Sequence, residues 1–146
     1  TDDNAATLSH ELSGTDTAGT VYGGDGDDAL MGGGAADNLF GGDDDDLIAG
    51  SGGDDRIEGE AGDDILKGGS GDDRIDGGTG EDLIKGGGGD DVMIGGAGDD
   101  MLGGGAGIDT LIGGAGDDVY SVKIGGGGGF AGNDFWKAKR GKAGGF

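Results

Sequence analysis

From Gly23 to Ser121 the chain repeats every nine residues, without a slip, through eleven consecutive units. The first position of each unit is glycine: Gly23, Gly32, Gly41, Gly50, Gly59, Gly68, Gly77, Gly86, Gly95, Gly104 and Gly113. The sixth is aspartate: Asp28, Asp37, Asp46, Asp55, Asp64, Asp73, Asp82, Asp91, Asp100, Asp109 and Asp118. The eighth is large and apolar: Leu30, Leu39, Ile48, Ile57, Leu66, Ile75, Ile84, Met93, Leu102, Leu111 and Tyr120. The fourth is glycine except at Ala35 and Asp44. A short fixed period means a solenoid, in which units are stable only when stacked on one another.

The unit from Gly68 to Asp76 shows how one nonad makes half a coil. Its first six residues are Gly-rich and acidic and read as a turn, with glycines at positions one, two and four free to adopt positive φ. Its last three, Arg74-Ile75-Asp76, alternate polar, apolar and polar. That is a very short strand with one side chain pointing inward. Arg56-Ile57-Glu58 and Leu83-Ile84-Lys85 read the same way. Two nonads wrapped back to back give one full coil, with the position-eight side chains meeting between two parallel sheets. Eleven nonads then make five and a half coils. At the strand spacing of about 4.8 Å the stack is roughly 25 Å long.

Composition narrows the options. Glycine supplies 44 of 146 residues and proline none. Collagen needs glycine at every third position with abundant proline, and a flexible linker would carry no ordered apolar column. The net charge is −22 with 5% aromatic residues, a composition that stays disordered in water unless something else intervenes. One apolar residue per nonad is too thin a core to offset the backbone entropy of so many glycines. The missing contribution is cationic. Nucleic acid is excluded as a partner because its phosphates repel the Asp column. No stretch is apolar enough to span a membrane. There is no Cys, so disulfides contribute nothing. No N-terminal secretory signal is visible and Thr1 is not an initiator Met, which points to processing, to a fragment, or to export by a route needing no such signal.

In a stacked coil, turn n lies over turn n+2, which brings Asp73 near Asp55 and Asp91. Aligned carboxylates one strand spacing apart repel strongly without counter-charge. A hard divalent cation between successive turns removes that repulsion. Calcium takes six to eight oxygens and accepts backbone carbonyls, which Gly turns expose. Magnesium demands a tighter octahedron. Zinc and copper want His or Cys, and the one histidine, His10, lies outside the repeat.

The nonapeptide Gly-Gly-X-Gly-X-Asp-X-(large apolar)-X resembles the repeat of the RTX (repeats-in-toxin) β-roll family, over 99 of the 146 residues. The resemblance implies an all-β fold: a right-handed parallel β-roll (a β-solenoid) with two nonads per coil, two short-stranded parallel sheets and calcium between successive turns. It also implies a ligand scheme. One turn gives the carbonyls of positions two and four and its Asp; the turn two nonads later gives the carbonyls of positions one and three and its own Asp. One site is then Gly69, Gly71 and Asp73 with Gly86, Gly88 and Asp91. Across the chain all eleven position-six aspartates serve by side chain, each interior one bridging two ions. The carbonyl donors are Gly41, Gly50, Gly59, Gly68, Gly77, Gly86, Gly95, Gly104 and Gly113 at position one. Gly69, Gly78, Gly87 and Gly96 serve at position two, and Gly26, Gly53, Gly62, Gly71, Gly80, Gly89 and Gly98 at position four. Up to about nine calcium ions follow, since each site needs turns n and n+2. Ala35 and Asp44 at position four, and Ser51 and Glu60 at position two, depart from the pattern, so sites on those turns are expected to be strained, weaker or empty. Position five is acidic in nine of eleven turns but Ala36 and Ile108 in the others, which fits a solvated, charge-concentrating role.

The two ends differ from the repeat. Residues 5–22 keep its register weakly, with Leu12 and Val21 at position eight but no Gly-Gly and no position-six Asp. Residues 1–22 read as a degenerate, metal-free N-terminal cap, 23–121 as the roll, and 122–146 as a Gly-rich basic aromatic tail. The tail carries +4 against −26 for the rest. Its Phe130, Phe135, Trp136, Lys137, Lys139 and Arg140 are candidate interaction residues. It folds back as a cap, docks on a neighbouring molecule, or is a disordered extension.

No enzyme signal stands out. Ser9, His10 and Glu11 are adjacent in sequence, and adjacency is not a catalytic triad. The leading reading is a secreted calcium-binding β-roll that folds on meeting extracellular calcium and acts as a structural or secretion module. The family resemblance implies bacterial type I export, with an extracellular or cell-surface destination. One competing reading is a calcium-dependent fibre, surface-layer or adhesin component whose copies stack head to tail. Another is a non-catalytic fragment of a secreted RTX toxin or hydrolase.

Overall fold

The computed structural model describes residues 11–13, 18–123 and 134–140. Fourteen strands and no helix occur among them. They are β1 (Glu11–Ser13), β2 (Thr20–Asp25), β3 (Ala29–Gly33), β4 (Asn38–Asp43), β5 (Leu47–Gly52), β6 (Arg56–Ala61) and β7 (Ile65–Ser70). The series continues with β8 (Arg74–Thr79), β9 (Leu83–Gly88), β10 (Val92–Ala97), β11 (Met101–Ala106), β12 (Thr110–Ala115), β13 (Asp117–Lys123) and β14 (Asp134–Arg140). Odd-numbered strands from β1 to β13 form one sheet, closed at its end by β14; even-numbered strands from β2 to β12 form the other. We call these sheets A and B. Every pairing is parallel and offset by two nonads, as in Ile57↔Ile75 and Leu66↔Ile84, except that β14 runs antiparallel to β13. The chain is therefore a parallel β-solenoid of about six coils, and turn n does lie over turn n+2.

The strands are longer than the three residues that alternation alone suggests. Most run six residues, from position seven of one nonad to position three of the next, as in Arg74–Thr79. Only positions four to six form the turn. The burial pattern explains the extension: along β8 it is Ile75 and Gly77 that are buried, so positions eight and one both point inward. Position one is glycine for want of space, not for left-handed backbone, which corrects the expectation of positive φ there. A Cβ on Gly68 would overlap Asp73 Oδ2 and come within 2.7 Å of the Gly86 carbonyl oxygen. Positive φ belongs to positions two and four.

The core is the position-eight column. Nine of its side chains, from Leu30 to Leu102, are buried, and Val21, Leu111 and Tyr120 pack against them partly buried. At the N-terminal end Leu12 pairs with Leu30 and Val21 with Leu39, so the register extends to β1 and β2 without the turn signature. At the other end β14 takes the place of a further coil on sheet A, with Trp136 in register with Ser121 and Lys139 with Asp118. Phe130 lies outside the described residues.

Candidate metal centre

The sixth residue of each nonad ends a turn whose backbone is held in left-handed conformations at position four and, in the strand before it, at position two. All eleven position-two residues have positive φ, and so do all at position four except Ala35. Most are glycine. Asp44, Ser51 and Glu60 occupy such places with φ of 80°, 88° and 82°, which strains a residue with a Cβ.

This geometry aims each position-six side chain inward. Ten of the eleven aspartates are buried; Asp109 is half-buried. One carboxylate oxygen is used within the fold. The Asp55 N–H donates to Asp73 Oδ1 at 2.8 Å, and the Asp73 N–H donates to Asp91 Oδ1 at 2.8 Å. The same bond recurs along both turn edges, up to Asp91 N–H to Asp109 and Asp100 N–H to Asp118, each at 3.0 Å. The other oxygen, Oδ2, is buried without a hydrogen-bond donor in Asp37, Asp46, Asp55, Asp64, Asp73, Asp82, Asp91, Asp100, Asp109 and Asp118. A buried anion left so is costly, and its repetition from Asp37 to Asp118 marks a place built for a positive partner.

Electrostatics point the same way. Burial pushes the carboxyls of Asp46 and Asp82 up to about 7, and those of Asp55, Asp64, Asp73, Asp91 and Asp100 up to about 6. Asp109 is raised as well, again chiefly by burial. The N–H from the preceding coil opposes the rise, and neighbouring carboxylates such as Asp28 and Asp64 around Asp46 add to it. Without counter-charge these eight carboxyls keep their protons to higher pH than an ordinary aspartate does.

The surrounding donors are oxygens. Asp73 Oδ2 and the Gly86 carbonyl both crowd the space where Gly68 lacks a Cβ, and the same arrangement recurs at Gly50, Gly59, Gly77, Gly86 and Gly95. The position-three carbonyls already accept one bond, as from the Gly71 N–H to Gly88 O at 3.0 Å, leaving one lone pair each. No three Asp, Glu, His or Cys side chains converge among the described residues. The donor set is thus carboxylates supplemented by backbone carbonyls, which suits calcium and not zinc.

Sequence reasoning missed the function of position five within the fold. Those carboxylates are exposed, yet most cap the next coil: the Asp72 N–H donates to Asp54 Oδ1 at 2.9 Å, and the Asp90 N–H to Asp72 Oδ1 at 2.9 Å. The position-six bonds run from N–H back to the later coil's side chain; these run the opposite way. The near-invariance of acidic residues at position five was the available signal.

A parallel β-solenoid whose turns carry stacked carboxylates, each with one buried oxygen left for a cation, is a structural calcium-binding module and not a catalytic fold. The sequence profile of the RTX calcium-binding nonapeptide repeat, four copies long, matches residues 13–48, 40–75, 49–84, 67–102 and 104–128, and the chain belongs to that family. No curated protein matches it. Among the described residues no helix is long and apolar enough to cross a membrane.

Proposed function

We propose that this chain is a bacterial extracellular module that is unfolded where calcium is scarce and folds into its roll where calcium is abundant. The observation that carries the reading is the column of buried Oδ2 atoms without donors. In the calcium-free chain, folding must desolvate these carboxylates one above another. Bound between coils, calcium supplies the positive charge and oxygen coordination that make that burial favourable, so binding free energy becomes folding free energy. The ligands of a typical site are Asp73 and Asp91 with the carbonyls of Gly69, Gly71, Gly86 and Gly88. The crowding of Asp73 Oδ2 and the Gly86 carbonyl around Gly68 supports that assignment. Export before folding, by a type I route, fits a chain that cannot collapse until it leaves the cell.

Circular dichroism in millimolar calcium, then in excess chelator, tests the switch. A β-signal that appears with calcium and vanishes with chelator is expected. A β-signal unchanged by chelator at neutral pH overturns the reading.

Head-to-tail stacking is a second reading. It is favoured by β12, whose outer edge has no partner strand among the described residues. The basic aromatic residues Phe130, Phe135, Trp136, Lys137, Lys139 and Arg140 would then meet the acidic roll of a neighbour.

A further inference from the structure

The two outer faces of the roll differ in chemistry, because a two-nonad period is laid over the period of one. On sheet A the position-seven column reads Ala29, Leu47, Ile65, Leu83, Met101, Val119, each residue paired with the next. On sheet B the same column reads Thr20, Asn38, Arg56, Arg74, Val92, Thr110. In a chain of net charge −22, strands β3, β5, β7, β9 and β11 hold no carboxylate at all. Leu47, Ile65 and Met101 are nonetheless exposed. A contiguous exposed apolar column marks a contact surface.

The position-nine columns show what fits it. On sheet A this column runs Met31, Ala49, Lys67, Lys85, Gly103, Ser121. On sheet B it runs Tyr22, Phe40, Glu58, Asp76, Ile94, Ile112. Each column has its charged pair in the middle and uncharged residues at both ends, so the two are complementary, and in opposite directions the small end of one meets the aromatic end of the other. Apolar Met31 and Ala49 meet Ile112 and Ile94, Lys67 and Lys85 meet Asp76 and Glu58, and Gly103 and Ser121 meet Phe40 and Tyr22. The last pair also fits in shape. The rings of Tyr22 and Phe40 stack 5.1 Å apart, about one strand spacing. Sheet A has a groove of about 440 Å³ among Leu83, Met101, Gly103 and Val119, where Gly103 leaves the surface open.

We infer that the outer face of sheet A is a docking surface for the outer face of sheet B of a second copy, with the two solenoid axes antiparallel. Turning one copy by a half-turn about the sheet normal sets position nine opposite position nine and reverses the order of coils, which places the Tyr22 and Phe40 rings over the small residues Ser121 and Gly103. The contact joins unlike faces, so each copy keeps one face free and lateral stacks grow without closing. The face spans about five strand spacings by one strand, roughly 24 Å by 20 Å. That is below the about 800 Å² a standard stable interface buries on each partner. A single contact is therefore weak, and stacks form as concentration rises.

Sedimentation velocity in millimolar calcium tests this, with circular dichroism on the same samples. The native chain is expected to associate as its concentration rises. The double variants Lys67→Glu/Lys85→Glu and Glu58→Lys/Asp76→Lys each weaken self-association, on the order of ten-fold or more in dissociation constant. Mixed in equal amounts, the two variants associate again, because the reversed face A of one meets the reversed face B of the other. A chain that folds in calcium yet stays monomeric at every concentration overturns the inference and leaves the calcium reading standing. Association that persists unchanged in both variants also overturns it, since stacking through the coil ends is insensitive to outer-face charge.

Discussion

The backbone N–H of Asp55 donates to Oδ1 of Asp73 across one coil at 2.8 Å, while Asp73 Oδ2 is buried with no donor. One carboxylate thus does two things: it ties adjacent coils and presents a charge to whatever lies between them. Asp73→Asn keeps the acceptor and removes the charge; Asp73→Ala removes both. Both variants are expected to need more calcium to fold. The alanine variant is expected to lose in addition about 1–3 kcal/mol for the orphaned Asp55 N–H. Calcium titrations followed by circular dichroism separate the two, and Asp72→Ala serves as the exposed comparison, disturbing only the cap on the Asp90 N–H.

Glycines of two neighbouring strands differ sharply in what they tolerate. A methyl group at Gly68 meets Asp73 Oδ2 and the Gly86 carbonyl inside the roll, whereas one at Gly88 meets nothing within 4 Å. Gly68→Ala is expected to destabilise the calcium-bound roll by about 3 kcal/mol or more. Gly88→Ala is expected to be neutral or slightly stabilising, because alanine restricts the unfolded chain. Thermal unfolding in calcium compares them.

Ser51, Glu60 and Asp44 carry side chains at backbone angles that suit glycine. Ser51→Gly and Glu60→Gly relieve about 1–2 kcal/mol of strain each, less the entropy that glycine adds to the unfolded chain. Each is expected to raise the melting temperature in calcium. Asp44→Gly should gain less, since it also removes the bond from the Gly26 N–H to Asp44 Oδ2.

The pH dependence should change sign with calcium. In chelator, the folded carboxyls of Asp46 and Asp82 sit at about 7 and those of Asp55, Asp64, Asp73, Asp91 and Asp100 at about 6, against 3.8 ordinarily. The folded state binds more protons than the unfolded one, so its stability falls as pH rises. The proton-linked stability is complete below about 4 and lost by about 7. Acidifying the calcium-free chain from pH 8 to pH 5 is therefore expected to increase β-structure. In calcium, protons compete for the same oxygens, and apparent calcium affinity is expected to fall over that interval. Circular dichroism and calcium titration at both pH values check the pair.

Much of the architecture is legible in the repeat. The Ile75, Ile57 and Ile84 column, the two-nonad coil and the stacking of Asp73 between Asp55 and Asp91 follow from period and polarity alone. The strand bounds were not legible, because Gly77 has no side chain with which to signal that it faces inward. Nor was the reason for glycine at position one, which depends on how close Asp73 Oδ2 and the next coil's carbonyl approach. The caps formed by Asp54 and Asp72 escaped as well. An exposed carboxylate reads as solvated until the N–H one coil above it is placed.

Because neighbours in a sheet are separated by two nonads, the unit that can be copied or lost in this sequence is the pair and not the single nonad. Duplicating one nonad would send every later unit to the opposite sheet. Leu83 and Met101 would fall in line with Arg56 and Arg74, and β13 with its partner β14 would close sheet B instead of sheet A. Duplicating two would lengthen the roll by one coil and leave both faces intact. Length variation among sequences built on this plan is therefore expected in even steps, with odd steps found only where the two faces have become alike.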